Sequence, residues 1–176
     1  MDVSDLEQVE GMESPIYLTF NYTAGSAISR FLRSIKQGKL VGQRSPATGK
    51  VIIPPLGACP ESGQPTVEEV PLPDCGTVLG YTIVHLPIPG SELKPPFAVV
   101  NILLDGADQA FSHLLSECPN DAVEIGMRVE AVWKPEDQWD YGLDNILYFT
   151  PTGEPLEDIE QLKAACLARA EEARNA

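Results

Sequence analysis

The chain has 176 residues, with 26 Asp and Glu against 12 Lys and Arg and a formal net charge of −14. That length is enough to bury a core in one compact unit with appendages and leaves little for a second independent fold. The charge opposes nucleic acid and anionic membrane surfaces as partners, and no stretch approaches the roughly 20 consecutive apolar residues of a membrane span.

The N-terminus, Met1-Asp-Val-Ser-Asp-Leu-Glu, is acidic and lacks an apolar run, so no secretory leader is expected. The four cysteines, Cys59, Cys75, Cys118 and Cys166, are scattered, which argues against a disulfide framework and for a reducing cytoplasm. Residues 1 to 13 are expected to be mobile. Ile16-Tyr-Leu-Thr-Phe-Asn-Tyr22 alternates and reads as a short strand or an extended arm.

Residues 24 to 37 read as an amphipathic helix: Ala27, Ile28, Phe31, Leu32 and Ile35 share one stripe, Arg30, Arg33 and Lys36 lie off it, and Gly38 stops it. Such a stripe must be covered by the rest of the chain, by a second copy or by another protein. Ile28, Phe31, Leu32 and Ile35 are the candidate partner-facing residues.

No Asp or Glu occurs between Glu13 and Glu61, yet Arg30, Arg33, Lys36, Lys39, Arg44 and Lys50, half of the 12 Lys and Arg, fall in that gap. Two readings stand. The cations form a solvated helix face and a basic loop, or they form an anion site or a dock for an acidic partner, because guanidinium groups hold phosphate oxygens in paired hydrogen bonds.

Residues 41 to 63 have the frame of a zinc ribbon with its ligands exchanged. Ser45 and Thr48, then Cys59 and Ser62, are two pairs with two residues inside each pair and ten between them, and only Cys59 carries sulfur. Tetrahedral zinc wants paired thiolate knuckles about 2.3 Å from the ion, so no metal is expected. Gly and Pro punctuation for two knuckles remains; the alternative is two unrelated turns.

Pro71, Pro73 and Gly76 break the pattern, and β-type segments follow near 76 to 86, 97 to 104, 110 to 115, 128 to 133 and 146 to 150. Five strands in this length suit an OB-type barrel. The stretch from Pro87 to Pro96 is too rich in Pro and Gly for a strand and forms a rim or a lid. Glu136, Asp137, Asp140 and Asp144 surround Trp139 and Tyr141 in a loop, read as a solvated hairpin tip whose aromatics could anchor a partner.

Pro155 opens a C-terminal helix with the stripe Leu156, Ile159, Leu162, Cys166, Leu167 and Ala170, packed on its own barrel or clasping a partner. No nucleophile elbow, phosphate loop, dinucleotide fingerprint or H-E-x-x-H motif occurs, so no catalytic residue is assigned. His85 and His113 fall inside expected strands, where a lone histidine is usually structural; Phe111 and His113 are the candidate pocket residues.

Taken in order, Ile28-Ser-Arg-Phe-Leu32, Ile53-Pro-Pro-Leu-Gly-Ala-Cys59, Gly76-Thr-Val-Leu-Gly-Tyr-Thr82, Leu104-Asp-Gly106 and Ile125-Gly-Met-Arg-Val129 resemble an acyl-CoA-associated family long catalogued as domain of unknown function 35. The resemblance spans roughly residues 21 to 151. It implies a mainly β protein with helical appendages: an N-terminal helix within 1 to 39, a rubredoxin-like ribbon without an intact metal site in 40 to 74, a five-stranded OB-type barrel in 75 to 151 and a helical tail in 152 to 176. The ribbon departs from the family, having lost both cysteines of its first knuckle and one of its second.

The resemblance further implies a non-catalytic accessory subunit in a hetero-oligomer with a thiolase-like enzyme, such as an aldolase acting on steroid side-chain CoA thioesters or an acyltransferase. Acyl-CoA would be ligand or substrate, with the six cations offered to its phosphates. Two alternatives stand beside it. An OB-fold nucleic-acid binder needs a positive groove with stacking aromatics, whereas the barrel carries Lys94, Arg128 and Lys134 amid many acids. An autonomous CoA-ester hydrolase or lyase needs a deep pocket holding His113 and a carboxylate.

Overall fold

A computed structural model describes residues 18 to 175 apart from Tyr22. The expected mobility of residues 1 to 13 lies outside the described residues, as does much of the arm over 16 to 22; residues 18 to 21 carry no regular structure. Helix α1 (Gly25–Ile35) leads into strands β1 (Leu40–Arg44), β2 (Val51–Ile52) and β3 (Glu68–Leu72). Strands β4 (Cys75–Val84), β5 (Phe97–Leu104), β6 (Phe111–Leu115), β7 (Arg128–Trp133) and β8 (Ile146–Pro151) follow, and helix α2 (Ile159–Asn175) ends the chain.

Strands β4 to β8 close into a barrel in the order β4-β5-β6-β8-β7. Long β4 pairs with β5 along its length and with β7 through Cys75, Gly76 and Thr77, and an irregularity between Val78 and Gly80 bends it between the two neighbours. Closure comes from a short parallel contact, Leu115 beside Phe149. Alternation then points Val78, Val100, Ile102, Val129 and Phe149 inward, and all are wholly buried. His85 lies beyond the end of β4, exposed, rather than within a strand.

The ribbon is a separate three-stranded sheet, order β2-β1-β3, with β1 antiparallel to both neighbours. Strand β3 was not expected, because Pro71 and Pro73 read as breakers. Pro71 nevertheless pairs with Val41, and this is tolerated because β3 is an edge strand, where a missing N–H faces away from the ladder.

Helix α1 covers the barrel and ribbon with its apolar stripe. Phe31 and Ile35 belong to the same core cluster as Ile102 and Phe149, so they serve the chain's own fold rather than a partner; Leu32 packs against that core and Ile28 is half-buried. Burying one such large side chain contributes about 1.5–3 kcal/mol. The helix end is locked by the loop after β7: the wholly buried Asn145 donates to the Ile35 carbonyl at 3.2 Å and the Asp140 carbonyl at 2.7 Å. Trp139 lies against Gly38 and donates to the Lys134 carbonyl. The acidic aromatic loop is therefore a clamp on α1, and Tyr141 alone of its two aromatics remains exposed.

Helix α2 begins at Ile159, four residues after the proline expected to open it. Asp158 is the reason: its carboxylate accepts from the backbone N–H groups of Glu160 and Gln161, at 2.9 and 3.2 Å, which makes it the N-cap. Glu157 N–H is held by the Gly126 carbonyl, keeping the approach extended. The helix packs on its own chain, with Ala170 buried, Arg169 bound to Asp108 at 2.7 Å and to the Ala107 carbonyl at 2.8 Å. Asp108 also accepts from Val51 N–H, so one carboxylate ties α2, the barrel and the ribbon together.

Candidate functional site

The two turns of the ribbon are built alike. In the first, Ser45 N–H donates to the Lys50 carbonyl and Gly49 N–H to the Ser45 carbonyl; in the second, Cys59 N–H donates to the Gln64 carbonyl and Gly63 N–H to the Cys59 carbonyl, each at 2.8 Å. Gly49 and Gly63 hold φ of 73° and 71°, the left-handed region that L side chains avoid. Matched turns face each other: the Ser45 and Ser62 hydroxyls, with backbone N–H groups of Ser62 and Glu61, donate to the Cys59 sulfur and bring its pKa down to about 6 against the opposing effect of burial. The Thr48 hydroxyl turns away and accepts from Lys50 N–H.

The zinc that the family resemblance implies does not fit this donor set. One thiol and neutral hydroxyls are poor zinc ligands, and among the described residues no group of three or more His, Cys, Asp or Glu side chains is placed to hold a metal. Hydrogen bonds do the structural work instead. Behind the knuckles the buried Gln43 amide is satisfied at both ends, its nitrogen donating to the Thr66 hydroxyl and carbonyl, at 3.0 and 2.9 Å, and its oxygen accepting from Arg30 at 3.0 Å.

The six cations of the acid-free stretch do not form one free patch. Arg30 pairs with Glu69 at 3.0 Å, Lys36 with Asp140 at 3.2 Å, Arg44 with Glu68 at 3.0 Å and Lys50 with Glu61. Lys36 also lies over the Tyr141 ring. Arg33 and Lys39 are exposed and are the two of the six with no ion pair among the described residues. The acids arrive from β3, the second knuckle and the loop after β7, which are distant in sequence and adjacent in space.

A denser network lies at the barrel end, where sequence reasoning assigned nothing. Arg128 makes a two-pronged bond to Asp105, both contacts at 2.7 Å, and reaches the Thr77 hydroxyl at 3.0 Å and Glu154 at 3.3 Å. Arg128 holds the Asp105 carboxyl below the usual carboxylate range. Cys75 donates to Asp105, and burial followed by that contact pushes its thiol up. Thr77, Asp105 and Arg128 come from three of the motifs that carried the resemblance, so their co-occurrence was the available signal. Every member is paired, which makes the network a structural tie for β4, β5 and β7.

His113 and Phe111 are not brought into one pocket. Both pack edge-on to Phe149, at 5.5 and 6.0 Å, but the open hollow beside His113 is lined by Val99, Leu143, Asp144 and Leu147 without Phe111. Burial lowers the His113 pKa, keeping the imidazole neutral near pH 7. Asp144 in that hollow is bound to Lys134 at 2.7 Å, and no Ser, Thr or Cys lines it. The arrangement supplies no nucleophile with a base beside it.

What the chain does present is the connection from β4 to β5. Leu86 is 76% exposed, Ile88 48% and Leu93 39%, with Tyr81 on β4 at 45%. A loop stiffened by Pro87, Pro89, Pro95 and Pro96 thus carries aliphatic side chains into solvent on an otherwise acidic protein. Burying such groups at a protein interface is favourable, and the stiff loop has less conformational entropy to lose.

Barrel, ribbon and helices together define an OB-fold protein with no catalytic constellation among the described residues. A family model described as ChsH2, C-terminal OB-fold domain, matches residues 69–134. Over 135 residues the chain is 30% identical to a DUF35 domain-containing scaffold protein of Methanocaldococcus jannaschii, covering 74% of this chain and 92% of that one. A protein of the same description from Pyrococcus furiosus is 27% identical over 114 residues, 64% of this chain and 82% of its own length. A solved structure titled Ltp2-ChsH2(DUF35) aldolase superposes with a TM-score of 0.55 at 26% identity, over 77% of this chain and 98% of that one. The chain belongs to the DUF35 OB-fold family.

Proposed function

We propose that this chain is an accessory subunit of a thiolase-like enzyme, supplying docking surface and support for acyl-CoA processing while the partner supplies the nucleophile and acid–base groups. The observation that carries this reading is the pairing of an exposed, stiff apolar loop with the lack of any nucleophile–base set among the described residues. Family membership supports it, through relatives described as scaffold proteins and a neighbour whose title names an aldolase assembly. The finer reading is retro-aldol cleavage of a steroid side-chain CoA thioester by the hetero-oligomer. Arg33 and Lys39 are the cations best placed to meet CoA phosphates or partner acids, since their four neighbours are engaged, and Ile28 and Leu32 are the remaining partner-facing candidates on α1.

The test is reconstitution. Co-expressed with a thiolase-like enzyme from the same genome, the chain should purify as a stoichiometric assembly that breaks a side-chain carbon–carbon bond of the acyl-CoA and leaves the thioester intact, and the chain alone should be inactive. The double substitution Leu86→Asp with Ile88→Asp should abolish assembly while leaving thermal unfolding of the free chain unchanged. Turnover by the isolated chain, or assembly indifferent to the loop, would refute the proposal.

A further inference from the structure

Polar anchors fix α2 to the rest of the chain at both ends. Glu157 is fixed to Gly126 at one end, and Arg169 to Asp108 and Ala107 at the other. Between these anchors lies a cavity of about 310 Å³. Its walls are apolar: Leu79, Leu103 and Ala110 from the barrel side, Ile159, Leu162 and Leu167 from the helix. Leu103 is almost wholly buried, whereas Leu79, Ala110, Ile159 and Leu162 are only half-buried and Leu167 is exposed. The cleft is open to solvent on one side, and small-molecule sites are concave, mainly apolar and marked by a few placed polar groups.

The charges around the cleft specify the ligand. Lys50 is neutralised by Glu61, and Asp108 is consumed by Arg169 and Val51 N–H. Lys163 is the lining cation that takes part in no ion pair among the described residues, so one positive charge is left over. We infer that the cleft between α2 and the barrel binds a monoanionic amphiphile, a medium-chain carboxylate, with its hydrocarbon between Leu79, Leu103 and Leu162 and its head group at Lys163. The site is separate from the exposed loop and does not rest on the assignment of an enzyme partner.

Isothermal calorimetry of the full chain with decanoate, below its micelle-forming concentration, tests this. Saturable one-to-one binding is expected. Lys163→Glu should weaken it about tenfold, whereas Lys163→Arg should stay within about threefold, because arginine keeps the positive charge that meets the carboxylate and glutamate replaces it with a repelling one. Leu162→Trp should abolish binding by filling the cavity; Ala110→Leu fills it from the barrel side and serves if the first variant does not fold. Leu86→Asp should leave binding intact. Absence of saturable heat, or decanoate binding unchanged in both Lys163→Glu and a folded cavity-filling variant, would overturn the inference, including in favour of a cleft that takes a partner's side chain.

Discussion

The barrel and the ribbon are neighbours in one core, yet the ribbon relies on buried polar contacts far more than the barrel interior does. Inside the barrel Val78, Val100, Ile102, Val129 and Phe149 form one apolar cluster, while the ribbon buries Gln43, Ser45, Cys59 and Thr66 and satisfies them with one another, with Arg30 and with backbone groups. Apolar packing is non-directional, so losing one side chain costs in proportion to the void left behind. A buried polar set is directional, so losing one member leaves its partners unsatisfied. A metal-binding ribbon would draw its stability from four bonds to one ion; this ribbon spreads the same task over many weaker contacts and over α2.

The largest effect should come from the barrel. Phe149→Ala is expected to cost about 3–5 kcal/mol by removing a wholly buried ring, and urea unfolding should show one cooperative transition moved to lower denaturant, ribbon and barrel together. Next, Gly49→Ala should act on the ribbon and α2 alone. Its φ of 73° disfavours an added Cβ, which would also collide with the Ala170 carbonyl oxygen; the expected cost is roughly 2–3 kcal/mol. Hydrogen exchange should quicken in β1, β2 and α2 while the β4 and β5 amides stay protected, and uniform quickening would erase the distinction between the two regions.

A smaller change, about 1–2 kcal/mol, is expected for Arg128→Met, because Asp105 is 40% exposed and water screens much of the lost pairing. The same pair gives a pH dependence: a carboxyl depressed in the folded state stabilises fully above its ordinary value and loses that contribution as pH falls through the folded value. Thermal melts of the native chain should therefore decline more steeply on acidification below about pH 4 than those of the methionine variant.

Cys59 offers a titration specific to the ribbon. Its thiol is brought down to about 6, so its contribution to stability is complete above the ordinary thiol range near 8.5 and is lost as pH falls towards 6. The difference in thiolate absorbance between the native chain and Cys59→Ala should have its midpoint near 6; a midpoint above 8 would show that the knuckle hydroxyls do not hold the sulfur. The smallest effect belongs to Glu68→Gln, which removes an exposed carboxylate from Arg44 while leaving its bond to the Gly49 carbonyl, and should change stability by less than about 1 kcal/mol.

Much of this molecule was legible without coordinates. Periodicity placed α1 and the five barrel strands close to their observed bounds, and the spacing of Ser45, Thr48, Cys59 and Ser62 marked two knuckles whose hydrogen bonds prove equivalent. These signals are local: side-chain alternation, helical repeat and turn chemistry act over a few residues, and the linear chain carries them in full. Pro155 places the start of α2 too early; the cap is Asp158, a local signal as well.

The fate of the charges and of the exposed faces was settled by the tertiary structure. Glu61, Glu68, Glu69 and Asp140 disperse the apparent cationic stretch, Phe31 and Ile35 turn into the chain's own core, and Trp139 closes on Gly38. Thr77, Asp105 and Arg128 meet only because β4, β5 and β7 adjoin in the closed barrel. Coulomb attraction and burial depend on distance in space, and a sequence records only distance along the chain; which charges stay free, and which apolar groups stay wet, is fixed when the barrel closes.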